Sequence, residues 1–309
     1  MSRLQLLIQI DGLSRGNLER AMRSGHAPAM RGLAARDEFS VISVYSGLPS
    51  TTPAAQGELF YGVRTAVPAF AFADRETDTL RHMLDPPWAN RVERRLARGA
   101  RGLLEGGSAY CDVYTGGART WAFCPSGFAQ SAAHPGRSVV HKARIGVAYV
   151  GVVLRSALML VRESPDILAH GAWRSWGRLR ERCGSAWDRI LASIAMRDAT
   201  RLMATDDMGR GLPVVHVNFV GYDKQAHHYG PASPEAMRSL RGIDRAIGSM
   251  VAAAQRYTDG AATIVIHSDH GQEATVPLTE STGARIESIV REAAEEARTR
   301  AGTEGGAGA

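Results

Sequence analysis

The sequence predicts an α/β protein, a three-layer α/β/α sandwich with a mostly parallel central sheet and an inserted cap. Three observations carry this expectation. Apolar, β-branched-rich runs at residues 4–10 (LQLLIQI), 213–220 (PVVHVNFV) and 263–267 (TIVIH) have the length and near-continuous hydrophobicity of strands covered on both faces. Helical spacing fills the stretches between them, the alternation expected of an α/β layered fold. Each run also leads to a polar, reactive residue: Asp11 after the first, Asp223 after the second, Asp269 and His270 after the third. In open α/β sheets, ligands bind beyond the carboxyl ends of the strands.

In chain order, helical spacing marks residues 14–35, then a short helix follows Leu48–Pro53 and runs through Phe60, then comes the Arg- and Leu-rich stretch 88–104. Residues 108–114 (SAYCDVY) read as a further strand closed by Gly116 and Gly117. The pattern then changes, with Trp121, Trp173, Trp176 and several arginines, and residues 118–184 are expected to form the cap. Helices return at 185–203 and 234–257. The expected organisation is therefore 1–117 as the first part of the core, 118–184 as cap, 185–298 as the second part of the core, and 299–309 (TRAGTEGGAGA) as a frayed Gly/Ala-rich tail. No internal repeat is visible.

A chain of 309 residues with 44% hydrophobic and 22% charged residues can bury a large core, which excludes disorder of the whole chain. The net charge of +6 is mild and spread along the chain, so it does not indicate nucleic acid. Apart from Lys142 and Lys224, all the side-chain cations other than histidine are arginines, the residue suited to bidentate phosphate binding, although a GC-rich genome would give the same bias. Cys111, Cys124 and Cys183 are few, odd in number and unpaired in spacing, which fits a reducing compartment. The opening run after Met1 is too short for a signal core with a cleavage site, so a cytoplasmic protein is expected. Residues 145–161 (IGVAYVGVVLRSALMLV) fall short of the ~20 apolar residues of a spanning helix and contain Arg155. They read as a buried or cap helix, with membrane-surface contact, aided by Arg137, Lys142 and Arg144, as the alternative.

Four small constellations carry chemistry. Asp223 and His227 are four apart and share one face of a helical turn, so a carboxylate and an imidazole can meet one cation, although a helix-start aspartate near a surface histidine has the same spacing. Ser268-Asp269-His270-Gly271 follows a strand directly, where Asp and His can turn toward one ion or simply form a polar turn. Asp11-Gly12 ends the first strand, where an aspartate commonly caps or turns the chain. Leu48-Pro49-Ser50-Thr51-Thr52-Pro53 places hydroxyls at a helix start, as caps or as nucleophiles beside an anion-favouring N-terminus.

Taken together and in this order, these residues resemble the nucleotide pyrophosphatase/phosphodiesterase branch of the alkaline phosphatase superfamily. Residues 223–231 are similar to its Asp-x-x-x-His-x-x-Gly-Pro motif, 268–271 to its Ser-Asp-His-Gly motif, and 49–62 to its nucleophile segment. The resemblance covers the outer thirds of the chain and leaves the cap unmatched. It implies two divalent ions, zinc above all, about 4 Å apart. It implies one ion held by Asp11, Thr52, Asp269 and His270, and the other by Asp223, His227 and a later histidine. It further implies Thr52 as the nucleophile and a phosphothreonine intermediate in the hydrolysis of a small anionic phosphodiester or related phosphoester.

The sequence departs from the family pattern in three places. No histidine follows His270, so the last ligand of the Asp223/His227 site is missing. A truncated chain, His228 or water as stand-in, and a single-metal site are the alternatives. Ala55 stands where the family carries an asparagine that contacts the phosphoryl oxygen, and Gln56 beside it is the candidate substitute for substrate binding. Ser50 and Thr51 adjoin Thr52 and are possible shifted nucleophiles. Two competing readings follow: a catalytically impaired remnant that binds a metal or an anion, and a phosphomonoesterase, sulfatase or phosphonate hydrolase on the same scaffold. The oligomeric state is not legible from the sequence.

Overall fold

Five parallel strands form the central sheet in the order β5-β4-β6-β1-β7, seen in a computed structural model that describes residues 3–63, 67–128, 194–276 and 278–305. They are β1 (Gln5–Ile10), β4 (Ser108–Tyr110), β5 (Thr120–Ala122), β6 (Val214–Phe219) and β7 (Thr263–His267). A separate antiparallel hairpin joins β2 (Ala71–Asp74) to β3 (Thr79–His82). The helices are α1 (Arg15–Arg23), α2 (Pro28–Ala34), α3 (Thr52–Tyr61), α4 (Pro86–Leu96), α5 (Met196–Gly209), α6 (Gly221–Tyr229) and α7 (Pro234–Tyr257).

Side-chain alternation divides the core into two layers. Leu6, Ile8 and Ile10 of β1 and Val215, Val217 and Phe219 of β6 point to one face. There they meet Met30 and Leu33 of α2, Met208 of α5, Tyr222 of α6 and the apolar stripe of α7. Leu7 and Val214 point to the other face, against Phe60 of α3 and Val92 and Leu96 of α4. Because both faces are covered, the strands read as near-continuous apolar runs. The stripe on α7 recurs at Leu240, Ile243, Ile247, Met250 and Val251, all buried, which is the 3.6-residue period of a helix lying on a sheet. Its start is set by Ser233, whose hydroxyl accepts from the Ala236 amide at 3.2 Å, and by Pro234 in the first turn.

Register positions the site. Ile10 is level with Phe219, and Gln9 with His267, so β1, β6 and β7 release their chains at the same edge of the sheet.

Several expected boundaries move. The helical pattern at 14–35 is two helices, because Gly25 at φ +75° breaks the first and Pro28 opens the second. The strand expected at 108–114 stops at Tyr110, where Cys111 takes φ +62°. The cap expected from residue 118 starts too early, since Thr120–Ala122 pairs with β4 inside the main sheet. Most of that cap, with the stretch 145–161 and Cys183, lies outside the described residues. The second part of the core, expected to run to 298, ends at Gln272. Residues 273–309 form a separate unit containing α8 (Leu278–Thr282) and α9 (Ile286–Gly305). The tail expected at 299–309 is helical up to Gly305. β7 is an edge strand with Val265 42% exposed. Among the described residues, no helix is long and apolar enough to cross a membrane.

Ile247 is fully buried between α7 and the sheet. Ile247→Ala should lower stability by about 2–5 kcal/mol, read as a lower midpoint in urea denaturation.

Candidate metal centre

The first site residue is fixed by β1. The Asp11 amide still pairs across the sheet, donating to the Phe219 carbonyl at 3.2 Å, and its side chain then leaves at the strand end, buried. Gly12 turns the chain at φ +70°, and a Cβ there would lie 2.2 Å from Oδ1 of Asp223. Glycine is thus required twice, for its backbone angle and for the close approach of a carboxylate. Asp223 sits in the first turn of α6, where the helix dipole favours an anion. One turn on, His227 brings Nε2 to 3.3 Å from Asp223 Oδ2, while its side chain remains 67% exposed. Thr52 is the first residue of α3, and its buried hydroxyl donates to Asp11 Oδ1 at 3.5 Å.

The turn after β7 supplies the rest. Asp269 Oδ1 accepts from the Gly12 amide at 3.2 Å. Ser268 accepts from the Leu13 amide at 2.9 Å and donates to the His270 carbonyl at 2.6 Å, which locks the turn against the end of β1. His270 Nε2 then lies 3.5 Å from Asp11 Oδ1 and 3.6 Å from Asp269 Oδ2. All six residues expected as metal ligands therefore reach one edge of the sheet. Asp11, Asp223 and His270 have ligand atoms within 4.8 Å of one another, a group that includes members of both expected sites.

Electrostatics indicate what this cluster needs. Burial, then the charges of Asp269 and Asp223, holds the Asp11 carboxyl well above the ordinary 3.8. Burial also raises Asp223, with His227 and His270 opposing the shift. Asp269 Oδ2 is buried and, among the described residues, accepts no hydrogen bond. Three crowded carboxylates, an orphaned oxygen and two imidazoles make a donor set that fits a divalent cation such as zinc.

Gln56 does not belong to the substrate surface. Its side chain is 0% exposed; Nε2 donates to Gln9 Oε1 at 3.1 Å and Asp112 Oδ1 at 2.8 Å, and Oε1 accepts from the Val113 amide at 2.8 Å. The physical reason is its place one turn after Thr52, on the side of α3 that faces the sheet. The Gln56 amide is therefore committed to the interior and cannot stand in for the family asparagine.

Three features were not anticipated. Asn218 donates to Asp11 Oδ2 at 3.3 Å. Gln272 donates to Asp223. A buried chain also runs from Asp112 through His216 to His267, with Asp112 Oδ2 to Nδ1 at 3.0 Å and Nε2 to Nε2 at 3.3 Å. An ionised Asp112 takes the Nδ1 proton of His216, and one of the two facing Nε2 atoms donates to the other. Burial, and then the nearby His216, pushes His267 down to about 3, so it stays neutral. A signal did exist: His216 and Asn218 are two apart in an otherwise apolar strand, hence on one face.

Two outcomes follow for the metal-free protein. Asp11 and Asp223 have raised folded-state pKa values, so their contribution to stability is complete below their ordinary 3.8 and is lost as pH climbs through the raised values. At pH 7 in chelator, Asp11→Asn should therefore stabilise the fold by about 1 kcal/mol, seen as a higher melting temperature, while zinc uptake falls. Gly12→Ala should do the opposite to the fold, lowering stability by about 1–3 kcal/mol through a strained backbone and a displaced Asp223, measured in the same melts.

No curated protein matches the chain. Among solved structures it is similar to phosphonoacetate hydrolase from Sinorhizobium meliloti 1021 in complex with phosphonoformate, at 14% identity and a TM-score of 0.48. That match covers 87% of this chain, which spans 57% of the length of the other. The family model for type I phosphodiesterase / nucleotide pyrophosphatase matches residues 109–307, more than half of the chain. The matched region contains Asp223, His227, Asp269 and His270, whereas Asp11 and Thr52 precede it and join these residues through the sheet and α3. The chain belongs to the type I phosphodiesterase / nucleotide pyrophosphatase family.

Proposed function

We propose that the chain hydrolyses phosphodiester or related phosphoester bonds of a small anionic substrate, with Thr52 as nucleophile and divalent cations, preferably zinc, bound at the cluster. The observation that carries this reading is the position of the Thr52 hydroxyl, buried at the head of α3 and 3.5 Å from Asp11 within the carboxylate and imidazole group. Asp11, Thr52, Asp269 and His270 would hold one cation, and Asp223 and His227 the other. Bound cations would supply the positive charge that offsets the phosphoester's own charge at the attacking and leaving oxygens.

The chain's own residues orient the reaction. The hydroxyl proton of Thr52 points at Asp11 Oδ1, which directs an Oγ1 lone pair away from Asp11. The N-terminus of α3 favours the negative charge of a phosphoryl group. Attack forms the Oγ1–P bond as the hydroxyl proton passes to Asp11 Oδ1 and the P–O bond to the leaving group breaks; the leaving oxygen takes up a proton and departs as the alcohol, giving a phosphothreonine. Water then cleaves that intermediate and returns Thr52, a ping-pong course. Asn218 and the Gly12 amide keep Asp11 and Asp269 in place throughout.

A second reading, a cation- or anion-binding relative without turnover, is favoured by one observation. Ala55 offers no polar group to a phosphoryl oxygen, and Gln56 is held in the interior.

Rates on bis-p-nitrophenyl phosphate, p-nitrophenyl phosphate and p-nitrophenyl sulfate after zinc loading separate these readings. The diester should be cleaved fastest, and Thr52→Ala should lower kcat at least about 10³-fold. Undiminished turnover in Thr52→Ala would overturn the assigned nucleophile. Zinc binding without turnover of any ester would favour the second reading.

A further inference from the structure

We infer that Gln272 is a positioning residue that presents Asp223 to a cation, a role that rests on the proposal that Asp223 and His227 bind one. The Gln272 amide Nε2 donates to the Asp223 carbonyl at 3.3 Å and also to its carboxylate Oδ1. This two-point grip leaves Oδ2 as the oxygen that faces His227 Nε2 at 3.3 Å. On the Oδ1 side the carboxylate rests against Gly12, where no Cβ is tolerated. One oxygen is thereby pinned by a neutral donor and a backbone wall, and the other is offered to the space shared with the imidazole. A rotated Asp223 would have to break the Oδ1 bond.

Gln272 is itself held. Its carbonyl accepts from Asn17 Nδ2 of α1 at 3.3 Å. Just before it, Gly271 passes so close to Ser14 that an added Cβ would sit 2.8 Å from the serine Cβ. The chain leaving β7 is thus pressed onto the start of α1, which directs the Gln272 side chain toward α6. His227 is largely exposed and Asp223 is its single carboxylate neighbour within ion-pair distance among the described residues. A pair of ligands this sparse gains most from a carboxylate held in its binding orientation, because the ion then need not order it. The amide adds no charge and, as a donor, does not compete with Asp223 for the cation.

Calorimetric zinc titration of the metal-free full chain, with melting curves of each variant in chelator as a check on folding, tests this role. Gln272→Leu should weaken one zinc equivalent by about 10–100-fold and leave any other unchanged. Gln272→Glu keeps the shape, loses the N–H donor and should weaken the same equivalent; it decides the matter if Gln272→Leu does not fold. Zinc binding by Gln272→Leu equal to wild type would overturn the inference, whether the wild type takes one zinc or two. Tighter binding by Gln272→Glu would also overturn it, since residue 272 would then act as a ligand. A wild-type chain that takes up no zinc would remove the proposed metal centre itself, and this inference with it.

Discussion

Mutual repulsion among Asp11, Asp223 and Asp269 is the constraint around which this end of the molecule is organised. Three carboxylates at the edge of one sheet, two of them buried, would separate if their backbones were free. They are kept together because β1 pairs in parallel register with both β6 and β7. Apolar burial on both faces of the sheet supplies the free energy that holds the register, at roughly 25 cal/mol for each Å² removed from water. The cost of the crowded charges is local, and a cation would offset it. On the proposed function, cation affinity at this cluster and stability of the metal-free fold are opposed.

The contacts next to the cluster follow from that constraint. Each carboxylate accepts from at least one neutral donor: Asn218 and the Thr52 hydroxyl on Asp11, the Gly12 amide on Asp269, and Gln272 on Asp223. Neutral donors reduce the repulsion without adding a competing cation. Glycine at position 12 is part of the same device, because the amide that serves Asp269 and the open face that admits Asp223 belong to one residue.

Beneath the cluster, a polar layer lies between the sheet and α3. Gln9, Gln56, Asp112 and His216 are fully or almost fully buried, and Gln56 ties α3 to both β1 and the segment after β4. An apolar contact would allow α3 to slide by fractions of a turn. Directional hydrogen bonds fix it, and since Gln56 is one turn from Thr52, they also fix where the hydroxyl stands relative to Asp11.

The sequence by itself determined the layers of the fold and the residues of the cluster. Continuous apolar runs mark strands buried on both sides, and Asp11, Asp223, Asp269 and His270 are recognisable because each follows such a run. Local chemistry also set the start of α7, through Ser233 and Pro234. Only the tertiary structure decided the rest. Thr120–Ala122 is too short to register as a strand until β4 lies beside it, and α1 and α2 share one periodicity until Gly25 adopts a positive φ. Gln56, Asn218 and Gln272 are polar residues whose roles depend on partners as many as 207 positions away in the chain. A side chain's type states which hydrogen bonds it can make, whereas the partner it meets depends on how the strands and helices pack.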